Sequence, residues 1–328
     1  MMRIPALFCA AALTAAAAIP AAEAQDVPTI RVGWTIPAEE GKYTMMRRPA
    51  EFEAIGKRYK IEWSQFQGTS AISQALAAGA IDCGTQGVLP IAQGTTAGTL
   101  AVDIVAQHVG EKPGSFSVYW AVKEDSPIKS IADLKGKTVG ISIINGGTQG
   151  PFNLLLRKAG LDPDKDIKLV EVTFPLAEDA LRQGRVDAVN MNQPFAARAE
   201  GKGGIRKLFS LSEALPNIVH ILEACRKDFL AKSPDLARMY VHDLTLGMKK
   251  ALANRDETMK VVSEVMRVPV PVLDTYLLKG NDFAREPGAA PNFPAIQAML
   301  DVYAETGLVA KKLTATDFRN AGIVAPIE

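Results

Sequence analysis

The residues in this chain best suited to chemistry are hydroxyl, amide and glycine residues gathered at turns. The most informative stretch is residues 134–153. There Lys135-Gly136-Lys137 leads into an apolar run from Thr138 to Ile144, which breaks at Gly146-Gly147 before Thr148, Gln149, Gly150 and Pro151. A glycine pair lets backbone N–H groups approach a ligand without side-chain obstruction. A helix opening just after it offers unpaired N–H donors and a partial positive charge. That combination suits a carboxylate, sulfonate or phosphate group, although alone it also reads as an ordinary strand-to-helix turn. Comparable turns recur at Thr35-Ile36-Pro37-Ala38, Gly68-Thr69-Ser70, Thr85-Gln86-Gly87 and Asn192-Gln193. With Gly147-Thr148-Gln149 they form the candidate ligand-binding set. Hydroxyls of Thr69, Ser70, Thr85 and Thr148 can donate hydrogen bonds, and the amides of Gln86, Gln149, Asn192 and Gln193 can orient a polar group. Each residue also has a local reading as a helix cap or turn former. The cluster, more than any member, carries the expectation.

Other chemistries find little support. Gly-x-Ser-x-Gly is absent, and no Ser-His-Asp arrangement is visible. The three histidines, His108, His220 and His242, are scattered without metal-ligand spacing and read as structural, so neither a metal nor a cofactor is expected. The chain carries 37 basic and 36 acidic residues, a net charge of +1, without the clustered basic charge of a nucleic-acid or membrane-surface binder.

The elements that must position these turns alternate. Strands are expected at Ile30–Thr35, Ile61–Phe66, Ile81–Thr85 and 102–107, and helices at Tyr43–Tyr59, Ala71–Ala78 and from about Val88. Gly79 stops the second of these helices as a C-terminal cap. The same grammar repeats with strands at Thr138–Ile144, Ile167–Val172 and Val186–Met191 and helices at Pro151–Ala159 and Ala177–Gln183. Val118–Val122 and Val219–Ala224 are read as two crossings between lobes. Later helices are expected from Ser233-Pro234 to about Ala253, at Asp256–Met266 and at Phe293–Thr306. Strands alternating with helices make an α/β fold with mostly parallel sheets, and ligands on such sheets bind outside the carboxyl ends of the strands. About 300 residues form two lobes more naturally than one, and a cleft between lobes suits a small molecule.

Residues 1–24 read as a secretory signal. Arg3 supplies the positive start, Ile4–Ile19 the apolar run, and Ala22-Glu23-Ala24 the cleavage site. Phe8 before Cys9 is too bulky for a lipoprotein site. Cleavage removes Arg3 and Glu23 and leaves the net charge at +1. Cys83 and Cys225 remain; an oxidising compartment would let them pair, but nothing in the sequence fixes their distance, and two buried thiols are the expectation.

Several segments together resemble the periplasmic solute-binding proteins of ABC importers, within the sulfonate-, nitrate- and taurine-binding group related to binders of thiamine pyrimidine precursors. These are residues 71–82, their counterpart at 179–188, Ile131-Ala132-Asp133-Leu134-Lys135-Gly136-Lys137, residues 154–161, Lys232-Ser233-Pro234-Asp235-Leu236 and Gly307-Leu308-Val309. The resemblance covers the mature chain. It implies a type II two-lobed fold, with lobe 1 formed by residues 25–118 and 221–328 and lobe 2 by 119–220. It further implies a periplasmic monomer that binds a small organic anion and meets an ABC permease transiently. The turn before Pro194 departs from some relatives, which place an acidic or aromatic residue where this chain has Asn192-Gln193. That disfavours a zwitterionic ligand such as taurine or an aminopyrimidine unless Glu39 or Glu40 supplies a charge. Arg47, Arg48 and Arg198 are the arginines considered able to reach an anion. Two other readings compete: a ligand-sensing partner of a membrane receptor, and an enzyme of thiamine-pyrimidine synthesis. The enzyme would require a cofactor lysine and a cysteine-rich iron-binding segment, whereas the mature chain has only the isolated Cys83 and Cys225.

Overall fold

Strand-forming and helix-forming segments alternate along the chain in the order expected, and the computed structural model describes residues 27–36 and 38–323. The signal segment and Pro37 lie outside the described residues. In chain order the elements begin with β1 (Thr29–Trp34), α1 (Glu40–Arg47), β2 (Lys60–Gln65), α2 (Thr69–Ala77), β3 (Cys83–Gln86), α3 (Val88–Thr96) and β4 (Val102–Glu111). There follow β5 (Tyr119–Lys123), β6 (Thr138–Ile141), α4 (Gln149–Lys158), β7 (Lys168–Glu171), α5 (Phe174–Arg182), β8 (Ala188–Met191), α6 (Phe195–Lys202) and β9 (Ile205–Ser210). The chain closes with β10 (Ile218–Arg226), α7 (Lys227–Lys232), α8 (Pro234–Ala253), α9 (Arg255–Met266), α10 (Val270–Leu273) and α11 (Phe293–Glu305).

The strands form two five-stranded sheets with the same internal plan, β2-β1-β3-β10-β4 and β7-β6-β8-β5-β9. In the first, β1 runs parallel to β2 and β3, and β10 runs antiparallel to β3 and β4. In the second, β6 runs parallel to β7 and β8, and β5 runs antiparallel to β8 and β9. Each sheet therefore has one reversed strand, which is the strand next to a crossing. Both sheets are covered by helices, so their strands can be buried on both faces; every residue of the inner strands β3 and β8, and of the edge strand β4, is buried. Trp120 of β5 stacks on Phe152 and Phe209 at 4.4 and 5.2 Å and donates its indole N–H to the Gly140 carbonyl at 3.1 Å. This satisfies the single polar atom of the largest buried ring.

The crossings lie outside the segments expected to make them. Val118–Val122 overlaps β5 and Val219–Ala224 lies within β10; the chain passes between the sheets at residues 112–118 and 211–217. Ala121, Val122, Val219 and Ala224 of the expected crossings are buried sheet members, and Val118 is buried just before β5. The helix expected at Tyr43–Tyr59 ends at Arg47, because Pro49 disfavours helical geometry at the residue before it; Arg48 has φ −130° and ψ 47°. The strand expected at Thr138–Ile144 stops at Ile141, where pairing with β7 and β8 ends, and Ile143 and Ile144 are exposed.

Cys83 and Cys225 form a disulfide, contrary to the expectation of two buried thiols. They are register partners on antiparallel β3 and β10, with Cα atoms 4.0 Å apart. Sheet pairing joins them across 142 residues of sequence, which sequence spacing alone does not reveal.

Candidate functional site

The strand ends of both sheets open on one cleft of about 320 Å³, within the range of small-molecule sites. From the first lobe come the loop after β1 (Thr35, Ile36, Ala38), the entry to α2 (Gln67, Gly68, Thr69) and the entry to α3 (Gly87, Val88, Pro90). From the second come Ser142, Ile143 and Gly146–Thr148 after β6, Thr173–Pro175 after β7, and Asn192 after β8. Val109, Val118, Val219, His220 and Ile221 flank the crossings, and Phe283, Met299 and Tyr303 close the remaining side.

Four helices begin at this cleft. Gly68, Gly87, Thr148 and Thr173 are the N-cap positions of α2, α3, α4 and α5, and all four line it. None of the four helices has a side-chain hydrogen bond capping its first turn. Pro90, Pro151 and Pro175 have no N–H, and those of Gln149 and Leu176 bond to the Gly146 and Thr173 carbonyls; the remaining first-turn N–H groups and the positive ends of four helix dipoles converge from both lobes. Among the described residues no Asp, Glu, Lys or Arg lines the cleft, so its electropositive character comes from these neutral donors. Asn192 adds a buried side-chain oxygen with no hydrogen-bond partner, and an amide can present either its donor or its acceptor.

Of the candidate residues, Thr35, Ile36, Ala38, Gly68, Thr69, Gly87, Gly147, Thr148 and Asn192 meet at the cleft. Pro37 lies outside the described residues. Five candidates do not line it. Ser70 is exposed on α2. Thr85 is fully buried and accepts a hydrogen bond from Lys42 Nζ at 2.7 Å. Gln86 receives the Ser73 hydroxyl at 2.9 Å and donates to the Thr69 carbonyl at 3.3 Å. Gln149 accepts the Asn145 N–H, and Gln193 donates to the Asn281 carbonyl at 3.0 Å while accepting the Ala197 N–H at 3.1 Å. These amides brace the turns that carry their neighbours.

The charged residues considered as ligand partners are committed elsewhere. Glu39 and Glu40 are buried beneath the first-lobe wall. Lys42 Nζ lies 2.6 Å from Glu223 and 3.3 Å from Glu39, and also donates to the Gly33 carbonyl at 3.0 Å. Arg285 grips Glu40 through two hydrogen bonds of 2.8 and 2.9 Å and reaches Asp282 at 2.8 Å. Burial pushes Glu40 and Glu223 up, but the charge and hydrogen bonds of Arg285 at Glu40, and the charge of Lys42 with hydrogen bonds from His108 and Lys42 at Glu223, together outweigh it and hold both carboxyls below the ordinary glutamate value. Arg48 pairs with Glu257 and Glu264, Arg47 with Glu264, and Arg198 with Glu178.

Several cleft residues escape sequence reasoning. Thr173 was legible in principle, since a hydroxyl residue one position before Phe174-Pro175 is a helix-start signal. His220, read as structural, lines the cleft, whereas His108 contacts Glu223 in the interior at 3.3 Å. Ser142, Phe283, Met299 and Tyr303 arrive through tertiary packing and carry no local signal.

Comparison with known proteins agrees with this architecture. A protein of Escherichia coli (strain K12) named for the binding of aliphatic sulfonates is 30% identical over 268 residues, covering 80% of each chain. The taurine-binding periplasmic protein of the same organism is 26% identical over 281 residues, covering 83% of this chain and 82% of the relative. Among solved structures, the periplasmic aliphatic sulphonate binding protein SsuA from Escherichia coli superimposes with a TM-score of 0.74 at 23% identity, covering 92% of this chain and 94% of that one. This likeness establishes the two-lobed periplasmic-binding-protein fold. The NMT1/THI5-like family matches residues 60–258, and the chain belongs to that family.

Proposed function

We propose that the protein is a periplasmic solute-binding component of an ABC importer, which captures a small organic anion of the sulfonate or carboxylate type. It hands this ligand to a membrane permease and performs no turnover itself. The observation that carries the reading is the meeting of four helix N-termini without side-chain caps, two from each lobe, in a cleft that no Asp, Glu, Lys or Arg among the described residues lines. Such ends favour negative charge through aligned N–H donors. The apolar remainder of the wall, including Ile36, Val88, Ile143 and Phe174, accommodates the organic part. The relatives named for sulfonate and taurine binding support the class of ligand and the importer setting. Absence of a cleft carboxylate argues against ligands that bring an ammonium group, because a buried ammonium needs a charged partner. The protein is expected to act as a monomer, with residues 25–118 and 221–328 forming one lobe and 119–220 the other.

The test is thermal unfolding followed by calorimetry, using butanesulfonate, benzenesulfonate, benzoate, taurine, nitrate and an aminopyrimidine. A ligand at 100 times its Kd stabilises the folded state by about 2.7 kcal/mol. Stabilisation by the simple sulfonates or benzoate, with little from taurine or the aminopyrimidine, is the expected pattern. Selective binding of the aminopyrimidine, or chemical conversion of a bound ligand, would overturn the proposal.

A further inference from the structure

His220 stands at an irregularity in the sheet. Val219 pairs with Gly110 and Ile221 with Val109, so two residues of β10 advance against one of β4 and His220 is the extra one. A bulge of this kind breaks the in–out alternation and re-aims a side chain. Consistent with that, Val219, His220 and Ile221 all line the cleft, which three consecutive residues of a regular strand would not do. The ring is then fixed by two neighbours. Its Nε2 lies 2.6 Å from Glu111 Oε1, and Phe283 packs edge-on with ring centroids 5.2 Å apart. Nδ1 has no partner among the described residues.

Glu111 occupies the last position of β4, immediately before the first crossing, and is 3% exposed. Its Oε1 also accepts the Val118 N–H at 3.0 Å, while Oε2 is buried without a hydrogen-bond partner. A buried carboxylate served at only one oxygen stabilises a cation beside it, because its own charge is incompletely compensated. The surroundings contribute no competing charge at the ring. Phe283, Val88 and Pro90 are apolar, and Tyr303 on α11 stays neutral, burial pushing its hydroxyl up. Beyond Phe283, Asp282 and Arg285 pair with each other, and Arg285 also pairs with Glu40.

We infer that His220, held by Glu111, is the anion-reading side chain of this cleft and takes up one proton when an organic anion binds. With the ring neutral, Nε2–H donates to Glu111 and Nδ1 presents a lone pair to the cleft. An arriving anion makes protonation at Nδ1 favourable; the proton comes from solvent, and the imidazolium then donates to Glu111 and to the ligand together. Histidine is the side chain whose charge changes most readily in the neutral range. The inference rests on the organic-anion reading of the cleft.

The experiment is calorimetric titration of the purified full-length mature protein with benzenesulfonate, butanesulfonate and benzoate, in buffers of different ionisation enthalpy and across pH 5.5–8.5. Uptake of up to one proton is expected, with affinity falling up to tenfold per pH unit where uptake is complete. His220→Gln, which keeps a polar side chain without a titrating ring, should abolish both. Glu111→Gln should weaken them, and in the parent the His220 ring resonance should titrate at higher pH with benzenesulfonate bound. That resonance gives a reading even if a variant fails to fold. Binding without proton uptake, uptake that survives His220→Gln, or a ring titration unmoved by ligand would overturn this inference alone. If none of the three anions binds the parent, the organic-anion reading falls and takes this inference with it.

Discussion

The hydroxyl of Tyr303 donates to the carbonyl of Gly147 at 3.0 Å, joining α11 to the loop that leads into α4. The ring below that hydroxyl approaches Gly150 so closely that a Cβ there would stand 2.5 Å from it. α11 also packs on α3 and β10 of the first lobe. At its far end Arg157 of α4 donates to the carbonyls of Glu305 and Thr306 at 2.8 and 3.3 Å. The C-terminal helix therefore touches both lobes beside the cleft. Tyr303→Phe removes one hydrogen bond and keeps the packed ring, so ligand affinity should fall by about 0.5–1.5 kcal/mol. Gly150→Ala should cost more, because Cβ meets the ring and not the mobile tip of a side chain. Calorimetry with whichever anion binds the parent decides this; unchanged affinity in both variants would mean the contact is incidental to closure.

At the entry to α4, Thr148 combines a hydroxyl with the Gly150 N–H, since the Gln149 N–H bonds to the Gly146 carbonyl and Pro151 has none. Thr148→Ala should weaken anion binding by about 1–2 kcal/mol, the value of one buried hydrogen bond. Gly147 has room for a small group, since a Cβ would sit 3.5 Å from the Tyr303 hydroxyl. Gly147→Ala should bind nearly as the parent does, and Gly147→Leu should block the cleft. Equal binding by Thr148→Ala, Gly147→Leu and the parent would reduce this turn to a structural role.

The charged interior of the first lobe makes a prediction about acid stability. Glu40 and Glu223 are held below the ordinary glutamate value of 4.5 by Arg285 and Lys42. Their stabilisation is therefore complete above pH 4.5 and is lost as pH falls through their lower folded values. Asp282 has the opposite sign: burial raises it, so its contribution fades as pH rises and offsets part of the acid loss. Melting temperature should drop steeply below pH 4.5. Glu40→Gln should flatten that drop while costing about 1–3 kcal/mol at neutral pH, since Arg285 would lose one of its two charged partners and keep Asp282. A melting temperature independent of pH between 3 and 6 would contradict the pairing.

The parts of this fold legible in the sequence are those set by neighbours in the chain. Alternating strands and helices, the Ser233-Pro234 start of α8 and the Gly79 stop after α2 all follow from local propensity and turn chemistry. The resemblance to solute-binding proteins is upheld by the family match and the fold. What escaped depends on contacts distant in sequence. Cys83 and Cys225 meet through sheet register, and Thr85 was diverted from the cleft by Lys42, 43 residues away. His220 looked like a lone structural histidine because the bulge that turns it appears only when β10 is laid against β4. Glu39 and Glu40 looked available because their burial depends on Lys42, Arg285 and Glu223.

The two short connections at residues 112–118 and 211–217 are where one lobe can rotate against the other. Glu111 and His220 sit beside them, paired at 2.6 Å, and Val118 donates its N–H to the same carboxylate oxygen. Ligand shifts an open–closed equilibrium only by the difference in its affinity for the two states. Contacts from both lobes provide that difference, because donors such as the Thr69 and Thr148 entries to α2 and α4 surround one molecule only when the lobes approach. Small-angle scattering should therefore show a smaller radius of gyration with a bound anion. Thr69→Ala in one lobe and Asn192→Ala in the other should each weaken binding, because closure needs a contribution from both. A distance distribution unchanged by saturating ligand, together with loss of affinity from only one lobe's substitution, would mean that recognition is complete without lobe movement.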